Sequence, residues 1–92
     1  MMYGYMTLSD ETEIVHSHLI DEEGVNTVLV HFERPINGGF DSVRFKLPTY
    51  EIIMRDGYSD EDVEKFKEFT KNNAHLFYKY AKTGGLDIAK AI

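Results

Sequence analysis

Residues 40–47 (FDSVRFKL) alternate cleanly, with Val43, Phe45 and Leu47 on one side and Ser42, Arg44 and Lys46 on the other. A period of two predicts a half-buried antiparallel strand. Residues 12–20 (TEIVHSHLI) are β-branched and alternating, and predict a second strand. Asp21-Glu22-Glu23-Gly24 then reads as a four-residue hairpin loop ending in a left-handed glycine, with residues 25–34 (VNTVLVHFER) as the returning arm. Pro35 to Gly39 form a turn cluster. Residues 2–8 (MYGYMTL) are apolar and aromatic but broken by Gly4, so residues 1–10 read as an edge strand or an arm. After Pro48, residues 49–56 (TYEIIMRD) are bounded by Pro-Thr and Asp-Gly, which are helix start and stop signals. The expectation there is a short helix; the alternative is a strand over residues 50–54.

The pattern changes period at Ser59. Val63, Phe66, Phe69, Thr70, Asn73, Leu76, Phe77, Tyr80 and Ala81 share one face at helical spacing, with charged residues opposite. Ser59 with Asp62 three positions on makes a capping-box arrangement, and Asp60, Glu61 and Asp62 suit the positive end of the helix dipole. Lys79 and Lys82 suit the other end, and Gly84-Gly85 supply the left-handed stop. A long helix is therefore predicted over residues 59–85. Residues 86–92 (LDIAKAI) read as one or two more helical turns or a tail. The predicted fold is one α+β domain over residues 1–92: an antiparallel sheet of three or four strands with the long C-terminal helix on one face.

Composition narrows the chemistry. There is no cysteine in the 92 residues, which excludes disulfide scaffolds, thiolate zinc sites and thiol catalysis. No apolar run is long enough for a membrane span, and the opening MMYGYMTLSD lacks the basic start and apolar run of a signal peptide. A cytoplasmic location is the expectation. The formal net charge is −6, most of it before residue 47, which argues against a nucleic-acid partner.

Three histidines are the clearest candidate ligands. His16 and His18 lie two apart on one predicted strand, about 7 Å by strand rise. If Ile20 opposes Val25 across the loop, Ile14 meets His31, and His16 and His31 become diagonal neighbours. His16, His18 and His31 then share one face of the hairpin, an array that can hold zinc with an open position. An odd shift in register would send His31 to the other face. The same face would carry Ile14, Ile20, Val25 and Leu29, an apolar set that reads as an interaction face. Its cover would be the Tyr3 and Tyr5 segment or a second copy of the chain.

Other constellations are thinner. Residues 49–56, Gly57-Tyr58 and the long helix have a helix-turn-helix outline, but the recognition helix would open Asp60-Glu61-Asp62-Val63-Glu64 and set acids against phosphates. Ser17, His18 and Asp21 cannot form a local triad, because adjacent strand residues point to opposite faces. Asn73 is the polar exception in the apolar helix stripe, and its amide needs a partner.

From Val43 onward the chain resembles some small bacterial proteins of unknown function. In those, a strand and a short segment lead to a Gly-aromatic-Ser step, here Gly57-Tyr58-Ser59. A long helix with an acidic start follows, with an Asn before its apolar end, here Asn72-Asn73. The likeness covers about half the chain, and the histidine-rich segment of those proteins has no counterpart here. The resemblance implies a bacterial origin and little else. The sequence thus favours a non-enzymatic interaction or regulatory module, homodimeric or bound to another protein, over a zinc-dependent enzyme or metal-binding protein and over a DNA-binding protein.

Overall fold

The computed structural model describes residues 2–84. Its elements are β1 (Met2–Thr7), β2 (Glu13–Ser17), β3 (Ile20–Glu22), β4 (Val25–Ile36), β5 (Gly39–Leu47), β6 (Glu51–Asp56) and α1 (Asp60–Thr83). The strands form one antiparallel sheet in the order β1-β2-β4-β5-β6, with β3 paired to the start of β4. The α+β class and the single long helix are as predicted. The expected three or four strands become six, because both edges are strands and the first hairpin arm is broken in two. The reading of residues 86–92 lies outside the described residues.

α1 begins and ends where its capping chemistry directs. The Ser59 side chain accepts from the Asp62 N–H at 3.1 Å, and Gly84 closes the helix in the left-handed region, its N–H donating to Tyr80 O. The predicted stripe faces the sheet: Val63, Phe66, Thr70, Phe77 and Ala81 are buried. They meet Ile14, Val28, Val30, Phe32, Val43, Phe45 and Leu47. Phe32 lies at the centre, stacked on Phe66 at 4.5 Å between centroids and edge-on to Phe45 and Phe69. Each such side chain removed from water contributes roughly 1.5–3 kcal/mol.

The first hairpin departs from expectation in two steps. Its turn is the two-residue Glu23-Gly24, both with positive φ, so Glu22 rather than Ile20 opposes Val25. Tight turns with this twist are favoured between antiparallel strands. The arm then carries one extra residue between β2 and β3. Ile20 pairs with Thr27, yet His16 pairs with Val30. At this dislocation the Ser17 hydroxyl takes over the ladder, accepting from Leu29 N–H at 2.9 Å and donating to His18 O at 2.8 Å. Along β2 the net register is one residue off the expected one, so every side chain of β2 changes face relative to β4.

Residues 51–56 are a strand, not the expected helix. Tyr50 adopts φ 64 and its N–H donates to Lys46 O at 2.7 Å, which turns the chain straight back along β5. Thr49 supports this turn, its hydroxyl donating to Lys46 O and accepting from Glu51 N–H. The Pro-Thr and Asp-Gly signals serve turns as well as helices, and the β-branched pair Ile52-Ile53 suits an extended chain. A bulge opens between Arg44 and Phe45, so β6 carries Ile53 as an extra residue. With no first helix, the helix-turn-helix outline is removed.

Gly57, at φ 91, swings the chain from β6 toward α1. A Cβ at this position would stand 2.0 Å from Asp41 Oδ1. Asp41 itself is fixed by Arg34 Nη2 at 2.6 Å, and Arg34 lies over the Tyr58 ring. Gly57→Ala is therefore expected to lose stability by more than the ~1–2 kcal/mol of left-handed strain alone. Urea denaturation checks this; a variant within experimental error of the wild type would contradict the contact.

Candidate functional site

The three histidines do not meet. The one-residue register shift puts His16 on the helix side and His31, paired to Val15, on the opposite side. His18 falls in the break between β2 and β3 and is exposed. The zinc reading of His16, His18 and His31 is thereby corrected, because it depended on a hairpin register that the tight turn and the Ser17 dislocation together exclude. Among the described residues no group of three or more His, Cys, Asp or Glu side chains is placed to hold a metal.

His16 is wholly buried. Its Nδ1–H donates to Ser17 O at 2.8 Å, since a carbonyl only accepts, which leaves Nε2 as a lone pair without a partner. The ring is enclosed by Tyr3 at 5.7 Å, Tyr5 at 6.5 Å and Phe77 at 5.9 Å between centroids. Tyr3 and Tyr5 thus pack on this histidine beneath α1, on the helix side of the sheet and not over the opposite face for which they were the expected cover. Burial pushes the imidazole below its ordinary range, and the bond to Ser17 only partly opposes this.

His31 is differently occupied. Arg44 Nε donates to its Nδ1 at 3.3 Å, and its Nε2–H donates to Glu33 Oε1 at 3.0 Å. Both ring nitrogens are engaged, so neither offers a free lone pair to a metal or to a proton donor. The group nevertheless sits on the sheet face away from α1, only 7% exposed, because its charged neighbours lie beside it.

The expected apolar face is also redistributed. Ile14 changes side with β2 and joins the core. Ile20 and Leu29 are half-buried and Val25 is exposed at the hairpin tip. They do not combine into the expected interaction face. Ser17 is occupied with backbone partners, which excludes the triad with His18 and Asp21. Asn73 is satisfied at both ends: its Nδ2 donates to Phe69 O and its Oδ1 accepts from the Tyr5 hydroxyl at 2.9 Å. It fixes β1 to α1.

The longest run of exposed apolar residues among the described residues lies along β6. All six residues of this edge strand are exposed. Ile52, Ile53 and Met54 run consecutively at 44%, 46% and 38% exposure. Ile36 and Phe40, at the tip of the β4–β5 hairpin, are exposed as well. Of the flanking cations, Lys46 is paired with Glu22, and Arg55 is held by Asp60 at 2.7 Å and by Tyr58 O. The signal for this edge was the β-branched pair inside residues 49–56, which a helix reading obscures.

The arrangement defines a small α+β domain in which three exposed large apolar side chains run consecutively along one sheet edge, with others at the two hairpin tips and at Met6 on the opposite edge. No family model, no curated protein and no solved structure matches the chain. Among the described residues no helix is long and apolar enough to cross a membrane.

The two buried imidazoles are expected in opposite neutral tautomers, Nδ1–H for His16 and Nε2–H for His31. Two-bond ¹H–¹⁵N correlation spectra separate these forms directly, and a single tautomer for both would contradict the hydrogen-bond assignments above.

Proposed function

We propose that the protein is a non-enzymatic protein–protein interaction module, a small cytoplasmic accessory or regulatory domain, whose contact surface is the β6 edge. One observation carries this reading: an edge strand, exposed throughout, with three consecutive large apolar side chains at its middle. Edge strands present unpaired N–H and C=O groups and are ordinarily blunted by charge, proline or cover. Here, among the described residues, only the bulge and the outer residues Glu51, Arg55 and Asp56 do so. Main-chain pairing along such an edge, with side chains seated alternately, is a common recognition mode. The engagement of both nitrogens of His31 and the enclosure of His16 favour binding over catalysis.

The partner proposed first is a second copy of the chain, since isologous contacts are the commonest use of such a surface. Sedimentation equilibrium from micromolar to millimolar protein tests this. The wild type is expected to associate, and Ile53→Lys to weaken association at least about tenfold, or ~1.4 kcal/mol. Ile53 is the unpaired bulge residue, so the fold is expected to survive. A wild type that remains monomeric throughout, or a variant that associates equally well, overturns the homodimer.

A further inference from the structure

We infer that His16 is an acid-sensitive latch: a proton added at its buried Nε2 releases β1 from the sheet and bares the outer edge of β2. The imidazole sits where three elements join. β1 pairs with β2 from Met2↔Ser17 to Thr7↔Glu13, with Tyr3 directly opposite His16. Tyr5 packs on Phe77 of α1 at 4.4 Å and its hydroxyl reaches Asn73. His16 touches both sides of this joint, through Tyr3 and Tyr5 on β1 and Phe77 on α1. Val30 of β4 is its other cross-strand partner.

The groups facing the ring are phenols, a phenyl ring and an aliphatic side chain, with Tyr80 of α1 beside Tyr5. Among the described residues no carboxylate faces the ring, so an imidazolium formed here lacks a counter-charge from them. Aromatic faces offer some cation–π attraction, but this recovers only part of the lost hydration. The local way out is to let water in. β1 is an edge strand, and its departure exposes Nε2 without disturbing the β4–β5 pairing at the centre of the sheet.

The direction with pH follows from the depressed value of the folded state. An unburied histidine titrates near 6.5, and burial moves His16 below this. The closed state is fully favoured above about pH 6.5. As the pH falls from there toward the depressed value, the open state gains by up to about tenfold per pH unit. His18 and His75 are exposed and His31 is hydrogen-bonded on the far face, so none of them faces this joint.

Amide hydrogen exchange by NMR, corrected for intrinsic rates, between about pH 7.5 and 5 tests the latch. In the wild type, protection of the β1 amides is expected to fall by up to about tenfold per unit below pH 6.5 while β4 and β5 stay protected. In His16→Phe, which keeps an aromatic ring and removes the titrating group, the β1 slope is expected to vanish. A flat β1 profile in the wild type, an unchanged slope in His16→Phe, or loss of β4 and β5 protection in step with β1 would each overturn the proposal. Should His16→Phe fail to fold, the ¹⁵N titration of the wild-type His16 ring decides. A protonation midpoint that tracks β1 opening supports the latch, and one that does not refutes it.

Discussion

One helix is all that the described chain provides to cover one face of a broad sheet, and most of the structure follows from that shortage. An α-helix with its side chains is about 10–12 Å across, while strands stand about 4.8 Å apart. α1 can therefore roof the middle strands but not both margins, and it packs on β2, β4 and β5. Phe32 on the central strand, stacked on Phe66, marks the middle of the roof. At one margin Tyr5 reaches in from β1 to meet Phe69, Phe77 and Tyr80. At the other margin none of the described residues reaches comparably over β6, and Ile52, Ile53 and Met54 remain at the surface.

The face away from the helix solves the same problem by other means. His31 and Ser42 are nearly inaccessible there although none of the described elements lies over them. Arg44 and Glu33 flank His31 and hydrogen-bond to it, and Lys46 is tied to Glu22. Long charged side chains bury their aliphatic stems while keeping their heads wet. The result is a polar cover assembled from the sheet's own residues. Such a surface is a poor hydrophobic interface, which is why the interaction reading moves from the sheet face to its edge.

The parts of this fold legible in the sequence are those specified locally. Ser59, the acids after it and Gly84 mark both ends of α1, and the spacing of Val63, Phe66, Thr70, Phe77 and Ala81 gives its buried face. The alternation of Val43, Phe45 and Leu47 likewise gives the inner face of β5. The candidate site was not legible, because it depended on register. A four-residue and a two-residue loop can both be drawn through Asp21 to Gly24, and nothing near Ser17 announces that a hydroxyl will replace a backbone group in the ladder. Each of these shifts changes the pairing, and an odd net shift moves His31 away from His16. Residues 49–56 read as helix or as strand because Pro, Thr, Asp and Gly punctuate turns and helices alike, and only pairing with β5 decides between them.

The dislocation at Ser17 has an evolutionary consequence. In a regular hairpin a single inserted or deleted residue reverses the facing of everything beyond it. Here one surplus residue is already absorbed at a defined point, with a side-chain hydroxyl standing in for the main chain. The segment between Ser17 and Ile20 acts as a slip joint between the core-forming part of the hairpin and its exposed tip. Length changes at the joint would re-aim Ile20, Asp21 and Glu22 against the continuous β4 while leaving Ile14 and His16 beneath the helix. The joint is itself moored to the helix, with Leu19 N–H donating to Ala81 O at 3.3 Å and the Tyr78 hydroxyl donating to Asn26 O at 3.1 Å, so such changes are confined to the short β3 arm.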